Sequence, residues 1–429
     1  MAHKTIQKLL VHRRLSNGNM IDAGILAQNK QGVFFQYDAS YLAKFGNLSP
    51  FTLRADTNLN LANKSLHSGL HGVFADALPD GWGLLLQDRI FRQNDLLPTN
   101  ITAMDRLAFV GDTALGGLSF SPVSGYASSA EDKTSLSELG INAQKVFDGQ
   151  AQEVLAALVA AGSSGGARPK AQIYVQGSKF DECHTIEQKN DDAWIVKFTS
   201  SNLALGHEEG LCEAAYLTLA KQANLNPPQW TLLNAPKQSG AKQWLALKRF
   251  DFINNENQPS GRLHMHSACG LLDTDFRTPS LDYDDLIRAS RTLCKSPAVG
   301  QLQFRRAMFN LLACNHDDHS KNWAFLQNDH GAWQPAPFYD VTFSPHPFGE
   351  HATSFGGYGK TPPLKAAQKL AHSAGFAKWS DAKLVIEETV DVIENFQETA
   401  QSLGVSLSTS KLITKQLIAT RKAVTAELL

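Results

Sequence analysis

Residues 315–322, Asn-His-Asp-Asp-His-Ser-Lys-Asn, form the stretch from which the fold of this chain can be inferred. Apolar runs precede and follow it, Met-Phe-Asn-Leu-Leu-Ala and Trp-Ala-Phe-Leu, so the polar octad is predicted to be held between two buried segments. Asp317 and Asn322 stand five positions apart. A protein-kinase catalytic loop keeps this spacing between the Asp that accepts the substrate hydroxyl proton and the Asn that holds magnesium. The stretch therefore predicts a kinase-like catalytic loop.

Asp340, in Phe-Tyr-Asp-Val, is the candidate for the separate metal-binding Asp of such a loop. Two other interpretations of the region stay open. An Asp-, Asn- and His-rich stretch between apolar runs is often a solvated turn. His316 and His319 are two candidate zinc ligands, but no two cysteines have the spacing of a zinc knuckle. The five cysteines stand at positions 183, 212, 269, 294 and 314.

The composition narrows the class of protein. The chain has 429 residues, enough for two or three domains with a well-buried core. Its 40 basic and 41 acidic residues give a net charge of −1, so no overall field favours nucleic acid or a membrane. No apolar run approaches the ~20 residues that span a bilayer, and the first residues lack the apolar region of a signal peptide. Scattered cysteines, odd in number, argue against a disulfide framework, so we expect a cytoplasmic protein.

The pattern along the chain predicts an α+β protein in three parts, residues 1–125, 126–250 and 251–429. A small, polar linker at 123–136 separates the first part from the second, which is rich in strands. From residue 281 onward almost everything has a helical pattern. The predicted strands are 32–37, 57–61, 171–175, 194–198 and 244–248, and the predicted helices are 84–92, 153–161 and 208–224, before a final bundle. A small strand-rich lobe before a larger helical lobe is the order of a kinase.

A glycine-containing loop, Ser-Ser-Gly-Gly-Ala-Arg-Pro-Lys at 163–170, is the candidate cover for ATP phosphates. Its glycines allow backbone N–H groups to point at an anion, and Lys170 can add a positive charge. The loop matches neither the Walker A motif nor the GxGxxG fingerprint, so a plain flexible turn is the competing interpretation.

Lys197 lies in a predicted strand, Trp-Ile-Val-Lys-Phe, where it alternates with apolar residues. A Lys in such a place costs desolvation unless an anion meets it, and ATP phosphates with a helix Glu are the usual partners in kinases. The candidates for that Glu are Glu208, Glu209 and Glu213 in the next helix. The competing interpretation is that Lys197 is a half-exposed Lys on an edge strand.

The strand ending at Lys248 is the candidate hinge between the lobes. Backbone groups from Leu247 to Arg249 are predicted to meet adenine, and Phe250 to lie against its ring. An ordinary strand end is the alternative. The order of these features along the chain favours the kinase interpretation, because it is the order found in kinases. The features are the glycine loop, the strand Lys, the hinge, the Asp-x4-Asn loop and the metal-binding Asp.

With these residues in place, the chain resembles the HipA family of serine/threonine kinases, which are toxins of bacterial toxin–antitoxin pairs. Segments 70–83 (Leu-His-Gly-Val-Phe-Ala-Asp-Ala-Leu-Pro-Asp-Gly-Trp-Gly) and 109–118 (Phe-Val-Gly-Asp-Thr-Ala-Leu-Gly-Gly-Leu) look like the N-terminal region of that family. The loop 163–170 looks like its phosphate loop. The resemblance implies a bilobal protein-kinase-like fold, related to lipid kinases, with an additional N-terminal subdomain.

The resemblance also implies roles for residues. Asp317 is then the catalytic Asp, Asn322 and Asp340 are magnesium ligands, and Ser163 is the regulatory phosphorylation site, with Ser164 as its rival. The residues assigned to ATP binding are Ser164, Gly165, Gly166, Lys170, Lys197, Lys248, Phe250, His319 and Lys321. Asp318, where the family often has a small residue, and Lys248, where it often has an acidic one, depart from the family pattern.

The expected function is an ATP- and Mg²⁺-dependent serine/threonine protein kinase acting as a toxin. The resemblance implies that the partner is a helix-turn-helix antitoxin of the HipB kind and that operator DNA is bound only through this antitoxin. It implies no membrane partner. The implied substrate is a protein such as an aminoacyl-tRNA synthetase. One alternative is a small-molecule kinase on the same scaffold, for which an acidic pocket near Asp317 would favour a cationic substrate. The other is a catalytically silent pseudokinase, against which the intact Asp317, Asn322 and Asp340 argue.

Overall fold

A computed structural model describes residues 4–127, 133–151, 156–160, 166–177, 179–256 and 258–429. The order of the main elements is a strand-rich N-terminal region, a second sheet, and a larger helical region. The α+β class predicted from the sequence is therefore confirmed. The exact boundaries proposed for the three parts stay a prediction.

The N-terminal region is a five-stranded antiparallel sheet in the order β4-β3-β2-β1-β5, packed against short helices. Its strands are β1 (Lys8–Arg14), β2 (Met20–Asn29), β3 (Gly32–Tyr37), β4 (Asn60–Leu61) and β5 (Leu118–Ser121). Its helices are α1 (Ala39–Phe45), α2 (Gly72–Ala75), α3 (Gly81–Gln93) and α4 (Ala103–Val110). Leu9 and Val11 alternate with exposed residues along β1, so the apolar face of the sheet packs with Phe74 of α2 into one core.

The second sheet has six antiparallel strands in the order β10-β11-β9-β7-β8-β6. These strands are β6 (Lys133–Ser135), β7 (Lys170–Val175), β8 (Glu182–His184), β9 (Asp192–Lys197), β10 (Trp230–Asn234) and β11 (Gln243–Lys248). The helices α5 (Leu136–Phe147), α6 (Ala156–Ala160) and α7 (Glu209–Gln222) accompany them. Lys170 of β7 stands directly opposite Lys197 of β9, so the register of this pair brings two lysines to one end of the sheet.

The C-terminal region is mainly helical. Its helices are α8 (Ala268–Leu271), α9 (Tyr283–Cys294), α10 (Pro297–Leu312), α11 (Leu364–Ala374), α12 (Trp379–Glu394), α13 (Phe396–Ser402) and α14 (Leu407–Leu428). Short strands interrupt it: β12 (Phe252–Ile253), β13 (Gly261–Arg262), β14 (His264–Ser267), β15 (Leu281–Asp282), β16 (Ala324–Gln327), β17 (Trp333–Pro335) and β18 (Thr353–Ser354). A single large core joins α7 with α9–α14, and the buried Phe304, Met308 and Leu312 of α10 lie within it.

Several predicted elements appear with nearly the predicted bounds, because runs rich in apolar, β-branched and aromatic residues become the buried strands and helices. The strand at 32–37 is confirmed at both ends, and the helix predicted at 208–224 is α7. The helix predicted at 84–92 begins three residues earlier, at Gly81. Of the helix predicted at 153–161, only 156–160 is described, and it is helical.

Two predictions were wrong in part. The region after 281 is not continuously helical, since residues 313–363 carry β16–β18 and long turns, as their Asp, Asn, Pro and Gly content favours. The linker predicted at 123–136 includes a strand, because 133–135 pair with β8. In the final bundle Ile386, Ile393 and Phe396 are buried, whereas Leu384 is 57% exposed.

Candidate active site

A cavity of about 490 Å³ lies in the cleft between the second sheet and the helical region. Every predicted site residue that the structure describes lines it. These residues are Gly166, Lys170, Lys197, Lys248, Phe250, Asp317, His319, Lys321, Asn322 and Asp340. The fold therefore brings together residues up to 174 positions apart, while the role of each stays a prediction.

Asp317 lies in the loop that follows the buried helix α10, which ends at Leu312. Asn322 fixes this loop from within, because its side-chain Nδ2 donates a hydrogen bond of 2.7 Å to the backbone oxygen of Asp317. The Asp317 carboxylate is 67% exposed and so can meet an incoming substrate. Desolvation by the cleft walls, together with the like charge of Asp340, raises the pKa of Asp317, while His319 opposes the shift.

Asp318 has the opposite environment from its neighbour, because its side chain is fully buried. Its carboxylate accepts hydrogen bonds from the Tyr283 hydroxyl at 2.6 Å and from the Thr353 N–H at 3.1 Å, and it lies 2.9 Å from His351 Nδ1. The backbone oxygen of Asp318 accepts a bond from the Trp323 indole at 3.1 Å. Asp318, noted above as a departure from the family pattern, therefore anchors the loop.

Lys197 is the basic centre of the cleft. Its Nζ donates to Glu213 Oε1 on α7 at 2.6 Å and also to the carboxylate of Asp340. Burial alone would lower the pKa of Lys197, but Asp340 and Glu213 raise it, so the ammonium stays charged. Of the three Glu candidates, Glu213 is the one that pairs with Lys197. Glu209 instead pairs with Arg168 at 3.0 Å, and Glu208 with Ser406.

Asp340 stands in a left-handed backbone conformation, with φ of +50°, just after the buried Phe338. Burial alone would raise its pKa, but Lys197 and Lys170 hold the pKa of Asp340 well below its usual range. An ionised carboxylate and the Asn322 amide oxygen are donors that suit a hard cation. Magnesium in kinases takes few protein ligands and relies on phosphate and water for the rest, so this donor set fits it.

The same donor set disfavours zinc. Among the residues that the structure describes, no group of three or more His, Cys, Asp and Glu side chains is arranged to hold a metal ion. His316 is held elsewhere, since its Nδ1 accepts a hydrogen bond of 2.9 Å from the His346 N–H. Burial lowers the pKa of His316 to about 4. His319 lies in the cleft with its Nδ1 buried and without a hydrogen-bond partner among the described residues.

Residues 166–170 are the described part of the predicted phosphate loop, and Gly166 and Lys170 begin and end it. Gly166 has φ of +99°, and a side chain there would approach Lys170 Nζ to 2.7 Å, so glycine keeps this space open. Burial lowers the pKa of Lys170 to about 8. The predicted positions Ser163, Ser164 and Gly165 lie outside the described residues.

The predicted hinge is only partly available to a ligand. The Lys248 N–H donates to Gln229 O at 2.8 Å and the Arg249 N–H to Ala193 O at 2.9 Å, so neither amide is free to meet adenine. The Lys248 ammonium pairs with Asp192 at 3.0 Å. Phe250 does line the cleft, where its ring packs against Tyr339 with centroids 5.6 Å apart.

Basic and acidic side chains both line the cleft that contains Asp317. Lys321 Nζ lies 4.4 Å and the Arg277 guanidinium 4.5 Å from the centre of the Phe276 ring, and Arg168 also lines the cleft. Six carboxylate residues line the same cavity, so its described lining has mixed charge; they are Asp76, Asp80, Glu213, Asp251, Asp317 and Asp340.

The sequence reasoning missed the contribution of the N-terminal region to this cleft. Segment 70–83 was noted above for its family resemblance but was given no role in the site. Asp76 accepts hydrogen bonds from the Ser267 N–H and hydroxyl, at 2.7 and 2.6 Å, and Asp80 accepts one from Lys321 at 2.7 Å. Two Asp residues in one turn-rich segment were the available signal, but their partners lie nearly 200 or more positions away.

Comparisons with known protein families match two parts of the chain. A model of the HipA-like C-terminal domain matches residues 162–400, and a model of the HipA N-terminal domain matches residues 18–121. The first match alone covers more than half of the chain.

Solved structures include a similar protein. The chain matches a component of the Shewanella oneidensis MR-1 toxin–antitoxin complex of HipA, HipB and operator DNA, with a TM-score of 0.69, 17% identity and 97% of each chain covered. This likeness confirms the predicted bilobal kinase-like fold. The Helicobacter pylori kinase CtkA gives a TM-score of 0.38, 13% identity, and coverage of 62% of this chain and 94% of that one.

Among curated proteins, the chain is 27% identical over 112 residues to the candidate kinase Y4mE of Sinorhizobium fredii. The match covers 25% of this chain and only 26% of the length of that relative. Within the part of the chain that the structure describes, no helix is both long and apolar enough to cross a membrane.

Proposed function

The chain belongs to the HipA family, and from this premise we propose that it is an ATP- and Mg²⁺-dependent serine/threonine protein kinase that acts as the toxin of a toxin–antitoxin pair. One observation carries the proposal: Lys197 is held between Glu213 and Asp340 in the cleft that also contains Asp317 and Asn322. A Lys–Glu pair, a metal Asp and an Asp-x4-Asn loop are the parts that protein kinases use.

Each residue has a chemical task in this proposal. Asp317 orients the acceptor hydroxyl and takes its proton, and its raised pKa makes it a better base than an ordinary carboxylate. Lys197 and Lys170 provide positive charge for phosphate oxygens, while Asn322 and Asp340 would hold magnesium. Bound Mg-ATP supplies the phosphoryl group and the metal that neutralises its charge.

We further propose a helix-turn-helix antitoxin as the partner, because the similar Shewanella protein is in a complex with HipB and its operator DNA. Operator DNA is then bound through the antitoxin, in keeping with the net charge of −1 on this chain. A translation-related protein such as an aminoacyl-tRNA synthetase is the proposed substrate, and the cytoplasm the proposed location.

The first prediction tests the chemistry directly. Asp317→Ala should abolish transfer of radiolabelled phosphate from ATP to serine or threonine in cell lysate, while leaving Mg-ATP affinity nearly unchanged. Loss of a general base typically costs ~10²–10⁴ in rate. The Asp317 carboxylate is 67% exposed and lies 3.7 Å from His319 Nε2, so its removal should disturb the nucleotide site little. Transfer is measured by gel autoradiography with phosphoamino-acid analysis, and affinity by titration calorimetry.

The matched control is Asp391→Ala, which removes an exposed carboxylate from α12. It should transfer phosphate like the wild type. Near-normal turnover by Asp317→Ala would contradict the assigned role of Asp317, and no labelling of any protein by the wild type would contradict the kinase proposal itself.

A further inference from the structure

Asp80, in the N-terminal region, contacts two separate parts of the cleft. It is the residue that precedes α3. Its Oδ2 accepts a hydrogen bond of 2.7 Å from Lys321 Nζ of the catalytic loop, and its Oδ1 accepts one from the Gly166 N–H of the predicted phosphate loop. One carboxylate therefore connects the two loops that would face each other across the phosphates.

The residues after Asp80 strengthen this contact. The Trp82 N–H donates to Gly166 O at 3.0 Å, so Gly166 is held through both its donor and its acceptor. The Trp82 indole, 1% exposed, donates to Lys170 O at 2.8 Å. We call Asp80, Gly81 and Trp82 the clasp.

Gly81 shows how closely the clasp approaches the phosphate loop. A side chain added to Gly81 would lie 2.7 Å from Gly166 O and 2.8 Å from Ala167 Cα, which are backbone atoms that cannot turn aside. Its φ of +43° also lies in the left-handed region that favours glycine. The two backbones therefore meet without any intervening side chain.

The charge of Asp80 is maintained by its surroundings. Its side chain is 15% exposed, and burial alone would raise its pKa, but Lys321 and the Gly166 N–H lower the pKa of Asp80 below its usual value. Charge-assisted hydrogen bonds of this kind are about twice as strong as neutral ones. Asp80 therefore joins the two loops through two charge-assisted hydrogen bonds.

We propose that Asp80 is a positioning residue, which holds Gly166 and Lys321 at the separation that the ATP phosphates require. The N-terminal region then forms part of the nucleotide site and is not only an appended subdomain. The effect on phosphoryl transfer rests on the proposed kinase function, whereas the effect on the order of the phosphate loop does not.

The test compares Asp80→Ala with Asp80→Asn in the full chain. Without nucleotide, hydrogen exchange measured by mass spectrometry should be faster in Asp80→Ala peptides that contain Gly166, because the Gly166 N–H loses its acceptor. Asp80→Asn keeps an acceptor oxygen and should restore most of the protection. In steady-state assays the KM for Mg-ATP should rise about tenfold in Asp80→Ala, the loss expected for a charge-assisted hydrogen bond, with a smaller change in kcat.

The matched control is Asp88→Ala, on the same helix α3, which removes the carboxylate that pairs with Arg106 at 2.7 Å. It should leave both the exchange of Gly166 peptides and the KM for Mg-ATP unchanged. Circular dichroism shows whether each variant folds. If Asp80→Ala does not fold, the comparison of Asp80→Asn with the wild type tests the proposal.

Two results would overturn the proposal. In the first, Gly166 peptides exchange equally fast in the wild type, Asp80→Ala and Asp88→Ala. In the second, exchange changes but the KM for Mg-ATP does not. If the wild type bound no Mg-ATP at all, the kinase proposal would fail, and the exchange experiment would still decide whether the clasp orders the loop.

Discussion

At the scale of single residues, two adjacent carboxylates have opposite roles. Asp317 is largely exposed at the mouth of the cleft, and Asp318 is fully buried beneath it. The two carboxylates have different surroundings, because that of Asp317 is open to solvent whereas that of Asp318 faces Tyr283 and Thr353. Chemistry and stability are therefore divided between neighbouring positions.

This division predicts opposite outcomes for two alanine variants. Asp318→Ala should lower the free energy of unfolding by about 3 kcal/mol or more, because the Tyr283 hydroxyl and the Thr353 N–H lose a buried acceptor. Asp317→Ala should change it by less than about 0.5 kcal/mol, as expected for an exposed side chain. Urea unfolding followed by circular dichroism measures both values; similar losses in the two variants would show that the division is wrong.

Lys170 gives a prediction for pH, since burial lowers its pKa to about 8. Phosphate groups placed beside the ammonium would raise that pKa in the complex. Mg-ATP affinity should therefore be full below about pH 8 and should fall as the pH rises toward the pKa of the bound state. Titration calorimetry between about pH 7 and about pH 9.5 checks this. The Lys170→Met variant should bind Mg-ATP more weakly, with an affinity that does not change with pH. A wild-type affinity that is equally independent of pH would exclude Lys170 from the phosphate site.

At the scale of elements, helix α7 and strand β9 position the pair that defines the nucleotide site. Leu211, Ala214 and Leu217 are buried in the core that α7 shares with the C-terminal helices, so the helix cannot easily rotate. Glu213 is thereby directed at Lys197, which the antiparallel ladder of β9 fixes opposite Lys170. The pair is a consequence of how a helix and a sheet pack.

Glu213→Gln should weaken phosphoryl transfer, because Lys197 then has Asp340 as its remaining carboxylate partner. We expect a loss of about tenfold in kcat/KM, equivalent to ~1.4 kcal/mol. The control is Glu208→Gln, at the start of the same helix, whose carboxylate bonds Ser406 and should have no effect. Assays at fixed Mg-ATP concentrations compare the rate of phosphoryl transfer in the two variants. Equal rates would contradict the role assigned to the Lys197–Glu213 pair.

At the scale of the whole molecule, a buried ion pair joins the three parts of the chain. Arg249 and Asp251, each no more than 3% exposed, pair at 2.5 Å. Asp251 also accepts a bond of 2.6 Å from the Gly116 N–H of the N-terminal region, and Arg249 donates to Gln172 of β7. The segment 109–118, recognised by family resemblance, therefore has a structural role at the centre of the protein.

Asp251→Ala should lower the free energy of unfolding by about 3–5 kcal/mol, because it leaves the Arg249 guanidinium buried without its charge partner. Asp285→Ala is the matched control, since Asp285 pairs with Arg288 at 3.5 Å and both side chains are mostly exposed. That variant should stay within about 0.5 kcal/mol of the wild type. Chemical denaturation measures the difference, and a small loss in Asp251→Ala would mean that the three parts are joined by other contacts.

The sequence alone determined the features that depend on local pattern. Runs rich in apolar, β-branched and aromatic residues located β3, β7, β9, β11 and α7; β3 shows the alternating repeat of a half-buried strand, whereas β7 is buried along its whole length. The Asp-x4-Asn spacing of Asp317 and Asn322 is likewise local, since a loop of fixed length sets the distance between its own residues. Where no such repeat exists, as in residues 313–363, the helical prediction was wrong.

Tertiary structure decided everything that depends on residues distant in sequence. It selected Glu213 from three candidate carboxylates, closed the Lys248 and Arg249 amides to a ligand, and buried Asp318 beside the exposed Asp317. It also brought Asp80 to Lys321, 241 positions away. No local repeat encodes such a pair, because its distance is set by how the sheets and helices pack against one another and not by the residues around either partner.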